Sequence, residues 1–493
     1  MMFPYLTAII FLPLAGAVVV ALLPKESRQA IRVVAALFSA VPLALSLMLF
    51  TNFNYASDSP QFVEKALWIP ELNIQYFVGV DGLSLPLVIL TTLLTFLAVL
   101  ASWHIDLRTK EYNALLLILE TGILGVFTSL DLLLFFLFWE VELVPMYLLI
   151  GIWGGPRREY AAIKFVLYTL AGSAFMLVGI LALYFYSNPH TFDMTVLGAT
   201  DWGPLGLTFQ MVVFALIFVA FAIKLPMFPF HTWLPDAHVE APTAVSVLLA
   251  GVLLKMGGYG MVRICFNVLP DAAREYAPYI AAIAVVNVLY GAGLSMVQKD
   301  LKKLVAYSSI SHMGYVLLGL AALNQVGING AVLQMFTHGM ITGLLFLLVG
   351  AVYEKTHTRE IAKMSGLAPQ MPWLAVLWVT AGLASLGLPG MAGFIAEYTV
   401  FVGGFGTWPL YTILGAAGIV VTAGYILWMV ERVFFGPPKP DQGLEHVGDA
   451  KGLELVPLVS LTALIVLVGV YPSILTNMVS AGVMPVLARL PGL

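Results

Sequence analysis

The sequence predicts an all-α polytopic membrane protein of about fourteen spanning helices, and three observations carry that reading. The 493-residue chain is 60% hydrophobic and 10% charged, against about 25% charged residues in soluble domains. Its mean hydropathy is +0.95. Apolar runs of about 17 to 25 residues, long enough to cross a bilayer core as helix, recur along nearly the whole chain.

In order, the predicted spans are 2–23, 31–50, 82–104, 112–130, 132–151, 160–186, 209–229, 241–264, 277–297, 302–321, 328–353, 372–401, 408–434 and 455–480. The first is apolar from Met2 to Leu23, with Lys25, Arg28 and Arg32 after it and no cation before it. That asymmetry reads as a retained span starting outside the cytoplasm, not a cleaved signal. Residues 51–81 are polar enough for an extramembrane loop, and VEKALWIP and LNIQYFVGV alternate as a short hairpin would. Residues 436–454, GPPKPDQGLEHVGDAKGLE, have the composition of a cytoplasmic connection.

Charge supports the count. Of 23 Lys and Arg, Lys65, Arg263, Arg274 and Arg489 fall in loops on one side, and Lys224 and Lys255 fall within spans. All the others collect on the opposite side, which reads as cytoplasmic and puts both termini outside.

Other classes find no footing. A net charge of −4 suggests no nucleic-acid partner, and no GxGxxG or GxxxxGK[ST] stands in a nucleotide-binding context. The lone Cys265 excludes an intrachain disulfide and a four-cysteine iron–sulfur cluster built by this chain alone.

The chemistry concentrates at AIKLPMFPFHTWLPDAH, residues 222–238, where Lys224 is followed by Pro226, Pro229 and Pro235 with His231 and His238 among them. Each proline removes a helical hydrogen bond, so this span must break. A broken helix carrying an ammonium is tolerated at bilayer depth only against protein or a hydrated cavity, and such breaks mark transporter ion sites. Snorkelling is the plainer reading for Lys224, but the lysine stands about fifteen residues, roughly 22 Å of helix, from the start of its run. A second break is predicted in ASLGLPGMAGFIAEY, residues 384–398, which shares a Leu-Pro pair with the first. The two breaks lie five spans apart, an odd offset that implies inverted five-helix units.

Loop charges aside, the ionisable groups left at membrane depth are Glu120, Glu140, Glu142, Lys224, Lys255, His312, His338 and Glu397. Acid, base and histidine in series over successive spans are what a proton relay needs. Glu140 and Glu142 stand about 200° apart on a helix, so at most one faces a given cavity. For Lys255 the plainer reading is again snorkelling. For His312 and His338 it is a satisfied structural histidine, and for Glu120 a helix–helix hydrogen bond.

Several runs resemble one family closely: FWEVELVPMYLLIGIWGG at 138–155, REYAAIKFVLYTLAGS at 158–173, FAIKLPMFPFHTWLPDAH at 221–238 and LLAGVLLKMGGYG at 248–260. So do KKLVAYSSISHMGYVLLG at 302–319, QMFTHGMITGLLFLLVGAVYEKTHTR at 334–359 and ASLGLPGMAGFIAEY at 384–398. Over roughly residues 70–435 the chain resembles the antiporter-like subunit M (chain 4) family of proton-pumping NADH:quinone oxidoreductase, respiratory complex I.

The resemblance implies fourteen helices, with an N-terminal segment 1–111, inverted repeats 112–265 (helices 4–8) and 276–435 (helices 9–13), and a C-terminal part 436–493. It places the family's glutamate on Glu140, its lysines on Lys224 and Lys255, its terminal carboxylate on Glu397 and its axial histidines on His231, His312 and His338. It implies a Glu140–Lys224 pair that switches, and a proton path through Lys255 and the histidines to Glu397. It also implies that NADH, FMN, iron–sulfur clusters and quinone belong to partner subunits, with no cofactor on this chain. The expected partners are the other membrane-arm subunits, neighbouring antiporter-like subunits among them, in a bacterial plasma membrane. Two alternatives share the motifs, an Mrp-type cation/proton antiporter subunit and the equivalent subunit of a ferredoxin-fed photosynthetic relative. A third is a membrane subunit that conducts no ion.

Overall fold

A computed structural model describes residues 3–437 and 447–490. Helices α1 (Tyr5–Leu22) and α2 (Arg28–Thr51) lead into an antiparallel hairpin of β1 (Gln61–Ile69) and β2 (Ile74–Val80). The hairpin turns through Asn73 in the left-handed region (φ 51°), a conformation asparagine tolerates. The Glu64 carboxylate accepts the Leu6 and Thr7 amides at 2.7 and 3.1 Å, satisfying orphan donors at the start of α1 and tying it to the hairpin.

The chain continues through α3 (Ser84–Ala101), α4 (Thr109–Thr128), α5 (Leu132–Val141), α6 (Leu143–Trp153), α7 (Arg158–Tyr186), short α8 (Met194–Ala199), α9 (Gly206–Lys224) and α10 (Trp233–Glu240). Helices α11 (Thr243–Leu248) and α12 (Leu254–Gly260) are joined and extended by π-helical turns at Leu249–Leu253 and Met261–Phe266, making one span. Then come α13 (Pro270–Met296), α14 (Leu301–Ala321), α15 (Gln325–Thr356), α16 (Pro372–Ser385), α17 (Ala392–Thr407), α18 (Pro409–Val430), α19 (Leu455–Val470) and α20 (Ser473–Leu487). Among the described residues thirteen segments are long and apolar enough to cross a membrane, and the split run α16–α17 supplies a further crossing.

Two repeats of opposite direction are visible in matching hydrogen bonds. Asp131 caps α5 by accepting the Leu133 and Leu134 amides, and Asp300 caps α14 through those of Lys302 and Lys303. Around Asp131, Leu132 donates to Phe192 and Met194 to Leu130. Around Asp300, Leu301 donates to Arg359 and Ile361 to Lys299. The first cap lies at the hairpin face, where Lys65 on β1 pairs with Asp193, and the second lies at the opposite face. The broken helices run oppositely too. Helix α9 leaves the hairpin face and α10 ends at the other, whereas α17 ends at the hairpin face, where Thr407 bonds the Ala322 carbonyl.

One expectation needs correction. The last run was read as one span, 455–480; it ends at Val470, because Pro472 cannot continue the helix, and resumes as α20. The run 132–151 is one crossing, Leu132–Trp153, with a single turn residue at Glu142 between α5 and α6. Of the 436–454 connection, residues 438–446, with Lys439, lie outside the described residues.

Candidate functional site

The most enclosed spans carry the candidate groups. The apolar window of Thr243–Phe266 is 100% buried and those of Leu301–Ala321 and Gln325–Thr356 are 94% buried, against 28% for Arg28–Thr51. These three inner spans hold Lys255, His312 and His338.

At the first break, Trp233 Nε1 donates to the Ile223 carbonyl at 2.9 Å. Asn287 of α13 accepts the Phe228 amide at 2.7 Å and donates to the Pro226 carbonyl at 3.2 Å. The opened backbone is thus satisfied by protein groups, as membrane depth demands. At the second break, Gly387 and Gly390 adopt left-handed φ of 77° and 89°, which glycine alone enters freely. Both breaks contain the same wide backbone bond across five residues, Met227 to Ala222 and Leu388 to Leu383.

Lys224 is fully buried and bonded to Glu142, also fully buried. The expected partner was Glu140, and helix geometry explains the difference. Trp139 and Glu142 share one face at a spacing of three, and so do Phe221 and Lys224 on α9. The Trp139 and Phe221 rings meet edge to face at 5.5 Å, which sets the register and brings the charges together. The ammonium also lies 5.4 Å from the Trp139 ring and 5.3 Å from Phe165. Glu140 points elsewhere and is partly exposed, with Oε1 unpartnered among the described residues.

A second group follows. Lys255 donates to the Ala250 carbonyl, opened by the π-turn, and stands 2.7 Å from His338 Nδ1. The His338 and His312 rings are 5.5 Å apart. His312 Nε2 is 3.6 Å from Glu397 Oε1, and Glu397 Oε2 lies so close to Gly387 that a Cβ there would meet it at 2.5 Å. His312 also places Nδ1 2.7 Å from the Ser308 carbonyl and Nε2 3.0 Å from that of Ser385, at the second break. A neutral imidazole can donate to only one of these and an imidazolium to both, so an arriving proton gains a hydrogen bond.

The structure therefore brings Lys255, His338, His312 and Glu397 into one line and the Glu142–Lys224 pair into another. Between the two lines α12 packs directly on α9, where a Cβ at Gly257 would fall 2.6 Å from the Phe221 carbonyl. His231 stands apart, its ring against Phe228 and Tyr290. Glu120 is fully buried with both carboxylate oxygens unpartnered among the described residues. Sequence reasoning left three buried groups out of its site. His238 stacks on Phe346 at 4.5 Å with both nitrogens unpartnered among the described residues, Lys302 donates to the Ala241 carbonyl, and Arg263 pairs with Asp81. His238 was visible in the sequence as the last histidine of the Pro-rich break. Lys302 and Arg263 carry no such signal, because each lies at a span end where charge is ordinary. Among the described residues no cluster of three His, Cys, Asp or Glu side chains is placed to hold a metal.

Two opposed broken helices around buried ammonium, imidazole and carboxylate groups define an antiporter-like, ion-translocating membrane subunit. The family model described as NADH:quinone oxidoreductase/Mrp antiporter, TM, matches residues 129–424, and that for NADH-ubiquinone oxidoreductase chain 4, amino terminus, matches residues 8–129. The chain belongs to the chain 4 family of NADH:quinone oxidoreductases. NAD(P)H-quinone oxidoreductase chain 4 of Synechococcus elongatus is 46% identical over 484 residues, 96% of this chain and 90% of its own. The chain 4 protein of Gloeobacter violaceus is 43% identical over 485 residues, 97% of this chain and 91% of its own. A chain of respiratory complex I from Thermus thermophilus with bound NADH superposes with a TM-score of 0.89 at 30% identity, over 99% of this chain and 100% of that one. A chain of the Mrp complex from Dietzia sp. shares the fold, with a TM-score of 0.86 at 22% identity and full coverage of both. The protein is thus a multi-pass subunit of a multi-subunit membrane complex.

Proposed function

We propose that this chain translocates protons for an NADH:quinone oxidoreductase whose electron carriers reside in partner subunits. The observation that carries the reading is the line Lys255–His338–His312–Glu397, a continuous series of buried proton-exchanging groups beside the buried Glu142–Lys224 pair. A buried ion pair is costly to hold and strongly coupled to any nearby charge. An electrostatic change arriving from a neighbouring antiporter-like subunit separates Lys224 from its carboxylate, and Lys224 gives up its proton toward Lys255. The proton then passes through His338 and His312 to Glu397 and leaves at the hairpin face. Glu140, partly exposed and two residues from Glu142, modulates the pair through space. Glu120 and His231, off both lines, act as side contributors to the relay.

The basic loops lie opposite the hairpin, which supports a hairpin face directed out of the cytoplasm, extracytoplasmic termini and a bacterial plasma membrane. NADH, FMN, iron–sulfur clusters and quinone are assigned to partners, because this chain offers buried acid–base groups and a single buried cysteine. The two chain 4 sequences named above are cyanobacterial, which favours a second reading on one point only, a photosynthetic version of the complex fed by ferredoxin.

The test is a tagged complex purified from the native host. Flavin, iron–sulfur proteins and NADH-driven quinone reduction should accompany this chain, and Lys224→Ala should lower the protons moved per electron pair. Full pumping stoichiometry in that variant rules the relay out.

A further inference from the structure

Helix α18 turns an unusual face inward. Its buried residues include Thr412, Gly415, Gly418, Thr422 and Tyr425. The Thr412 hydroxyl, on a residue 3% exposed, has no hydrogen-bond partner among the described residues, and those of Thr422 and Tyr425, 2% and 1% exposed, have only each other and Ser308 at hand. Most buried threonines in other spans behave differently, although Thr95 and Thr337 also lack a partner among the described residues. Thr91, Thr121, Thr128, Thr169 and Thr342 each donate to the carbonyl four residues back in their own helix.

The glycines have a packing explanation, since a Cβ at Gly418 would collide with Val288 of α13. The hydroxyls do not. A dry interface is built as well from valine, alanine and phenylalanine, and an unpaired buried hydroxyl costs free energy unless water reaches it.

The same face meets the end of the relay. Tyr425 lies beside Thr422 and Ser308 and within electrostatic reach of Glu397. Tyr315 of α14 is within reach of both Glu397 and Tyr425, and its hydroxyl points at α18, 3.5 Å from the Gly415 carbonyl. Along α18 Thr412 is ten residues from Thr422, about 15 Å of helix, nearer the hairpin face. It stands where α17 passes α18 at Gly404 and where Trp408 bonds the Ala321 carbonyl.

We propose that the hydroxyl face of α18, with Tyr315 opposite it, is the hydrated outlet by which protons leave Glu397 for the hairpin face. The Glu397 carboxyl releases its proton to a water held by Tyr315, Thr422 and Tyr425. Each oxygen along the file takes one proton on one side and gives one up on the other, so one proton moves and the file stays neutral, while the carboxylate left on Glu397 takes its next proton from His312. Thr412 is the α18 hydroxyl that stands nearest the hairpin face along this file. The inference rests on the proton-translocating reading above.

The experiment replaces hydroxyls by near-isosteres in the whole complex, Thr412→Val, Thr422→Val and Tyr425→Phe, with Thr412→Ser and Glu397→Gln as comparisons. Quinone reduction, protons moved per electron pair and the solvent deuterium isotope effect are read on complexes present at normal abundance. The triple variant should lose about tenfold in coupled turnover with a raised isotope effect, and Thr412→Ser should behave as the native chain. If Glu397→Gln stops pumping while the triple variant pumps at the native ratio, the outlet is wrong and the relay stands. If Glu397→Gln also pumps at the native ratio, the underlying reading fails with it.

Discussion

The Lys255 ammonium and His338 Nδ1 are 2.7 Å apart inside a bundle region from which solvent is excluded, and the same ammonium holds a carbonyl freed by a π-turn. A regular α-helix would have used the Ala250 carbonyl internally. The π-turn thus provides the lysine with a neutral anchor, and the histidine receives its proton without competition from a carboxylate. His338→Gln keeps a side chain of similar reach but removes the exchangeable ring. Coupled turnover should fall by about a hundredfold, the lower end for a lost acid–base group. Proton pumping with quinone reduction measured in parallel checks this, and native pumping by the variant removes His338 from the path.

Asn287 is expected to matter for stability, not conduction. Its side chain holds both the Phe228 amide and the Pro226 carbonyl at the first break. Asn287→Leu leaves two backbone groups unpaired at membrane depth, about 1–3 kcal/mol each. The purified complex should lose thermal stability, with less of this chain retained on gentle solubilisation. Asn287→Asp keeps the acceptor and should lose less. Equal stability of all three forms contradicts the assignment.

How much of this was written in the sequence depends on the range of the interaction. Proline, alternation and apolar length act locally, so both breaks, the hairpin and nearly all the spans were legible from Pro226, Pro389 and the alternating runs at 63–70 and 72–80. The candidate groups were legible too, because Lys224, Lys255 and Glu397 stand out in apolar runs. Pairing was not. Which of Glu140 and Glu142 meets Lys224 depends on the register of Trp139 against Phe221, a contact between helices about eighty positions apart. The two stretches share a spacing of three between aromatic and charge, the one local trace of that register. Lys302 and Arg263 stayed hidden for another reason, since hydropathy cannot tell a charge at a span end from one folded back beneath its neighbours.

At the hairpin face the Lys65–Asp193 bridge of 2.8 Å predicts an acid-sensitive clasp. Burial, the largest single influence on the Asp193 carboxyl, pushes it upward. The hydrogen-bonded Lys65 ammonium and the Thr195 hydroxyl and amide together outweigh burial and hold it below the usual carboxylate range. A depressed folded value contributes stability above the unfolded value of about 3.9, and that stability is lost as pH falls through the folded value. Lys65→Ala removes the main opposing charge, so the loss should begin at higher pH. Hydrogen exchange across residues 190–199 between pH 3 and pH 6 reads it. Identical profiles for both forms would place the clasp's stability elsewhere.

The Glu142–Lys224 pair gives the sharpest test, because both members are fully buried and two carboxylates compete for the role. Removing one member of a buried pair strands the other charge and costs about 3–5 kcal/mol, whereas removing both can cost little. Glu142→Gln should therefore destabilise strongly, Lys224→Met likewise, and the double variant less than either alone. Glu140→Gln, at a partly exposed position off that face, should show no such rescue by Lys224→Met. Thermal unfolding of the purified complex in both double-mutant cycles separates the cases, since directly paired residues are non-additive and distant ones are not. Strong coupling of Glu140 to Lys224 with none from Glu142 would return the pair to the assignment expected from family resemblance. The Trp139–Phe221 register would then not be what sets it.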